Sequence, residues 1–201
     1  MRFAAAVSLV SVLALGCTRA DRPRERLRGT LLPDPRPKPD FTLVTSRGDS
    51  FDFRRKTDGT VTLLFFGYTY CPDICPVHMA NIAAALEKLP PQIASALKVV
   101  FVTTDPARDT PERLRNWLNS FDTRFIGLIG PLDEVNAIQR EIGLAPAMKM
   151  EPDSAGGGYL VGHAAQVVAF TSDNLAHIVY PFGTRQVDWA HDLPILIEAY
   201  R

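Results

Sequence analysis

The sequence predicts an α/β fold, a central sheet with helices on both of its faces. Three observations carry the prediction. Short, mostly apolar runs at 61–66, 98–104 and 125–129 alternate with segments of helical period, as in a sheet built from strand–helix–strand units. Those runs lack polar alternation, as expected of strands covered on both faces. Two polar turn segments, Ser46-Arg47-Gly48-Asp49 and Thr171-Ser172-Asp173-Asn174, are flanked by strand-like residues and read as hairpins.

Taken in order, FTLVT (41–45) and SFDF (50–53) make the first hairpin, and VTLLFF (61–66) is the first buried strand. PVHMANIAAALEKL (76–89) is helical: Pro76 suits a first turn, and Met79, Ile82, Leu86 and Leu89 share one face. KVVFVTT (98–104) is the next strand, broken by Asp105-Pro106. Thr110 is a good N-cap, with Pro111 at the first helical position of PERLRNWLNSF. FIGLI (125–129) is a strand and LDEVNAIQREIG (132–143) a helix. Residues 144–158, with Pro146, Pro152 and three consecutive glycines, read as a loop. AAQVVAF and LAHIVYP form the second hairpin, and WAHDLPILIEAY is a closing helix. Pro194 lies in an early turn of that helix or kinks it.

The chain opens MRFAAAVSLVSVLALGC, an arginine followed by an uncharged run and a small residue before Cys17. This is the pattern of a secretory signal peptide over residues 1–16. The run is short for a membrane span, which takes about 20 apolar residues. Ala14-Leu15-Gly16-Cys17 resembles a bacterial lipobox, which would make Cys17 a lipidated residue. An ordinary cleaved signal peptide or a short retained anchor are the other readings. Residues 17–40 are rich in Arg and Pro, with seven Lys/Arg against three Asp/Glu in 18–39. They read as an extended tether whose arginines can meet anionic headgroups. The globular domain is expected over residues 41–201. The formal net charge is zero, so composition gives no electrostatic case for nucleic acid.

The chemistry concentrates in GYTYCPDICP (67–76), where Cys71 and Cys75 lie between a buried strand and a helix. Such a turn exposes side chains at a sheet's C-terminal edge, and the helix N-terminus favours thiolate. Thiolates serve both redox chemistry and soft metals, and the spacing alone does not separate the two. A structural zinc site would want four protein ligands, and no second cysteine pair exists. Two thiolates and one histidine suit Cu(I) instead. Of the four histidines, His163, directly before a strand, and His78, three residues after Cys75, are the candidate third ligands. With three cysteines in all, lipid on Cys17 would leave Cys71 and Cys75 as a self-contained pair outside the cytoplasm.

Three segments, FFGYTYCPDICP (65–76), TTDPARDTPERL (103–114) and YLVGHAAQVVAF (159–170), resemble in sequence and order the Sco/SenC copper-chaperone family. The resemblance covers roughly residues 40–200. It implies a thioredoxin-like fold with an added β-hairpin. It also implies a membrane-tethered domain on the extracytoplasmic side of a bacterial envelope that delivers copper to the binuclear CuA centre of cytochrome c oxidase. Carried over by position, it makes Cys71, Cys75 and His163 the ligands of copper, as Cu(I), Cu(II) or both. The implied partners are subunit II of the oxidase, or another copper-accepting protein, and an upstream copper donor. Two positions depart from the family's usual pattern: Gly162 stands where it has Asp, and Ala164 where it often has a hydroxyl residue.

The main alternative is a thiol–disulfide oxidoreductase in which Cys71 attacks a partner disulfide and Cys75 resolves it. A copper-responsive or redox sensor would use the same residues. A peroxidase is disfavoured, because Cys71 lacks the usual Pro, Thr and Cys spacing of peroxiredoxins. Asp105–Asp109 reads either as a loop supporting the site or docking a partner, or as a turn fixed by Pro106 with Asp109 and Thr110 capping a helix. Met148 and Met150 read as packing residues or as soft ligands that capture or transfer copper. Phe66, Tyr68 and Tyr70 are expected to pack around the cysteine turn, an exposed Tyr70 suiting a docking surface.

Overall fold

The computed structural model describes residues 26–150 and 158–199. The signal pattern, Cys17 and the first part of the expected tether lie outside the described residues. The first half of the chain forms β1 (Thr30–Pro37), β2 (Thr42–Thr45), β3 (Ser50–Asp52), α1 (Phe53–Lys56), β4 (Val61–Gly67), α2 (Ile74–Leu86), α3 (Pro91–Ser95) and β5 (Leu97–Thr103). The second half forms α4 (Pro111–Asn119), β6 (Ile126–Ile129), α5 (Leu132–Glu141), β7 (Met148–Lys149), β8 (Val161–Gly162), β9 (Val167–Phe170), β10 (Leu175–Tyr180) and α6 (Gln186–Ala199).

Among the described residues, eight strands make one sheet in the order β1-β10-β9-β4-β5-β6-β2-β3, and β7 and β8 form a separate ribbon. β4, β5 and β6 run parallel, and β9 pairs antiparallel with β4. The β4–α2–β5 unit, followed by the β9–β10 hairpin and α6, is the expected thioredoxin-like arrangement. The β2–β3 hairpin is added at the far edge, against β6.

The apolar strands follow from this layering. Leu63 and Phe65 point to a core shared with Met79 and Ile82 of α2, Leu114 and Leu118 of α4, and Leu193 and Leu196 of α6. Leu64 and Phe66 point the other way, to Phe53 of α1 and to Val135 and Ile138 of α5. Each side of β4 is therefore buried, which is why its sequence shows no period of two.

Several expectations need correction. Thr30–Pro37, read as tether, is strand β1, paired antiparallel with β10 at the edge of the sheet. Pro33, Pro35 and Pro37 cannot donate ladder hydrogen bonds, which an edge strand tolerates, and the register shifts between Leu31 and Arg36. The loop over 144–158 contains β7, whose two residues are too few to show a pattern. Phe53 opens α1 instead of ending β3: the Asp52 carboxylate accepts the N–H of Arg55 at 2.9 Å and caps a new helical turn. Of the two readings of Pro194, the early turn is excluded, since α6 begins at Gln186 and the proline lies inside it.

Candidate metal centre

β4 ends at Gly67, and the chain turns through Tyr68-Thr69-Tyr70 with the N–H of Cys71 donating to the carbonyl of Tyr68 at 3.2 Å. Cys71 thus sits just ahead of α2 and Cys75 in its first turn. The two are not stacked within one helix. Instead the N–H of Cys75 donates to Cys71 Sγ at 3.4 Å, so Cys71 takes the helix-capping place that the Asp73 side chain leaves unused. Gly67 makes room for the second thiol: a Cβ there would lie 2.6 Å from Cys75 Sγ.

His163 arrives from the end of β8. Its Nε2 lies 3.5 Å from Cys75 Sγ and 3.9 Å from Cys71 Sγ. The three ligand atoms all fall within 4.8 Å of one another. The edges of Tyr68 and Phe65 pack on the imidazole, with ring centroids at 5.7 and 5.9 Å. Its Nδ1 lies 3.0 Å from the carbonyl oxygen of Ala164. A carbonyl accepts only, so Nδ1 carries the proton and Nε2 turns its lone pair to the sulfurs. A backbone oxygen therefore orients the ring where a carboxylate at position 162 is absent.

The two thiols differ sharply. The Cys71 thiol is lowered to about 4 by the hydrogen bond from Cys75, helped by the N–H groups at the start of α2. Burial pushes the Cys75 thiol well above its ordinary value, and the neighbouring Cys71 thiolate adds to this. Near neutral pH the cysteine pair holds one thiolate and one thiol. Both cysteines are free and buried. Three soft donors this close can take a soft cation in a trigonal site once Cys75 gives up its proton.

Hydrogen bonds from Asp109 and Arg113 fix the turn. The buried Asp109 carboxylate accepts the N–H of Thr69 at 3.0 Å and the hydroxyls of Thr69 and Thr103 at 2.6 Å each. Arg113 Nε donates to Thr69 Oγ1 at 2.7 Å, and its guanidinium lies 3.7 Å from the centre of the Tyr70 ring. Asp105 pairs with Arg108 and accepts the Tyr159 hydroxyl at 2.7 Å, while Arg108 stacks 3.6 Å over the Tyr159 ring.

Cys71, Cys75 and His163 come together as the sequence suggested. His78 does not join them: it is buried, with Nε2 donating to the carbonyl of Ala165 at 3.0 Å. His177 pairs with Asp173 and His191 with Asp192. Thr110 caps α4, accepting the N–H of Arg113 at 3.2 Å. Of the two readings of Asp109, a cap or a support for the site, the second holds: its carboxylate clasps the cysteine turn. Thr69 and the Ala164 carbonyl are the contributors that sequence reasoning missed, and Asp109, within the loop read as one that could support the site, had no partner named for it. Asp109 is separated from Thr69 by 40 residues, and no periodicity links them.

The SCO1/SenC family profile matches residues 31–198. A protein of Stutzerimonas stutzeri named for copper binding is 32% identical over 170 residues, covering 81% of this chain and 80% of that protein. The solution structure of apo Sco1 from Thermus thermophilus is 32% identical, with a TM-score of 0.73 over 85% of this chain and 97% of that one. The structure of Bradyrhizobium japonicum ScoI with copper bound is 27% identical, with a TM-score of 0.67 over 80% of this chain and 99% of that one. The profile spans nearly the whole described sheet, and these structures share its fold over at least 80% of the chain: the chain belongs to the SCO1/SenC family.

Proposed function

We propose that this chain is a copper chaperone of the cell envelope. It takes a copper ion between Cys71 Sγ, Cys75 Sγ and His163 Nε2 and passes it by ligand exchange to a cysteine- and histidine-bearing acceptor, the CuA site in subunit II of cytochrome c oxidase. The convergence of three soft donor atoms within 4.8 Å carries this reading. The copper-bound state of the Bradyrhizobium structure and the name of the Stutzerimonas relative support it. Two thiolates with Cu(I) leave a single negative charge, which the first turn of α2 tolerates. A set of three ligands lets the acceptor's ligands replace them one at a time. Cys17 as a lipid-bearing residue, and the Arg-rich residues between it and β1, would hold the domain at the membrane.

The test is copper binding by reduced protein without oxygen. Wild type is expected to hold one tightly bound Cu(I), and Cys71→Ser/Cys75→Ser to lose it. Undiminished affinity in His163→Ala would remove the histidine from the ligand set.

The inequality of the thiols favours a second reading, thiol–disulfide exchange. Cys71 is the stabilised thiolate that attacks, and buried Cys75 the thiol that resolves. In that reading His163→Ala keeps its exchange activity while losing copper. The two activities can serve one task, reducing an acceptor's cysteines before loading them.

A further inference from the structure

The chain has four methionines. Met79 is fully buried, whereas Met148 is 64% and Met150 49% exposed. Burying such a side chain is favourable, and this pair forgoes about half of that burial or more. Packing inside the domain is therefore not what places them there.

Their arrangement is specific. Met148 faces Gly162 across the β7–β8 ribbon, and the N–H of Met150 donates to the carbonyl of Leu160 at 2.9 Å. Met150 follows β7 directly, and that backbone bond carries the extended pairing through it, so that it falls on the same face as Met148. Lys149, between them, points the other way, its Nζ 3.9 Å from the centre of the Tyr159 ring. Gly162 has no side chain to fill the space between the methionines. A Cβ there would lie 3.6 Å from Met148 Cγ and 3.6 Å from Met150 Sδ, so both side chains border the same open point. The next residue is His163.

We propose that Met148 and Met150 form a second, weaker Cu(I) site, a thioether pair that captures the ion before it reaches Cys71, Cys75 and His163. Thioethers are neutral and soft, so they select Cu(I) and need lose no proton to bind it. Thiolates bind the same ion more strongly, which makes the transfer downhill. Copper–thioether bonds break as copper–thiolate bonds form, the Cys75 proton leaves to solvent, and no electron moves. The transfer step rests on the copper reading of the cysteine site; the thioether site does not.

The first experiment removes every thiol, using the full chain with Cys17→Ser, Cys71→Ser and Cys75→Ser and methionine methyls labelled with carbon-13. Silver(I) serves as a redox-inert stand-in for Cu(I). The methyl signals of Met148 and Met150 are expected to shift together and that of Met79 to stay. Met148→Leu is expected to abolish the Met150 shift, since the two share one ion. Signals that move no more than that of Met1, or a Met150 shift that survives Met148→Leu, overturn the site. In the second experiment the thiols are intact and Cu(I) is supplied as a chelate. Met148→Leu/Met150→Leu is expected to slow loading severalfold at an unchanged end point. Unchanged loading overturns the capture role. Failure of the cysteine site to take copper at all is separately visible in the wild-type end point and leaves the silver result standing.

Discussion

Gly67 sets the depth at which Cys75 can sit. The space a methyl group would need is filled by the Cys75 sulfur, with Phe101 just behind it. Gly67→Ala is expected to cost about 1–3 kcal/mol of stability by overpacking and to weaken Cu(I) binding, both checked on one preparation by denaturant unfolding and metal competition. Cys71 yields a prediction in pH. Its folded value, about 4, lies below the ordinary thiol value, so its contribution to stability is complete above that ordinary value. The contribution is lost progressively as pH falls toward 4. Alkylation of Cys71 in the reduced, metal-free protein should accordingly change little between about pH 5 and 8, where an ordinary thiol would accelerate steeply. A steep rise would show that α2 and its neighbours do not hold the thiolate. The residues that converge at the site were legible in the sequence. Cysteine spacing and the strand–helix junction marked the pair, and spacing left His163 and His78 open until the family resemblance chose between them. The orienting group was not legible, because a backbone carbonyl carries no residue identity.

At the scale of elements, α4 and the cysteine turn are one unit joined through Asp109. Removing its carboxylate in Asp109→Ala leaves the Thr69 N–H and the hydroxyls of Thr69 and Thr103 without their acceptor. The expected loss is about 3 kcal/mol, together with weaker copper retention, because the same bonds hold the segment leading to Cys71. Thr110→Ala, which removes only the cap of α4, is expected to cost about 1 kcal/mol and to leave copper retention alone. Equal effects on the metal from both variants would refute the coupling through Asp109. The strands and helices of the central layers were readable from apolar runs, caps and turn residues, since those signals are local. The clasp was not, since it joins side chains brought together only by the parallel pairing of β4 with β5. β1 was missed because prolines are ordinarily signs of extended linkers, and the bonds that make it a strand come from β10.

For the whole molecule, the notable join is where the chain enters the sheet. The fully buried Asp192 carboxylate accepts the N–H groups of Arg28 and Gly29, at 2.8 and 3.1 Å, and the Tyr180 hydroxyl at 3.0 Å. It ties the start of β1 to α6 and β10. Asp192→Ala is expected to cost about 3 kcal/mol and to speed amide exchange first in β1, read by hydrogen–deuterium exchange. Uniform acceleration over the sheet would argue against a local pin.

The direction of β1 has a consequence for presentation. β10 runs the same way as β4, and β1 runs against both, with Thr30 beside Val179. The chain therefore enters the domain at the pole of the sheet that carries Cys71. If Cys17 is the anchor, the nine residues 17–25 form a leash reaching at most ~30 Å. The domain then hangs with its cargo-bearing pole toward the bilayer, and acceptors standing close to the membrane surface are served in preference to those diffusing above it.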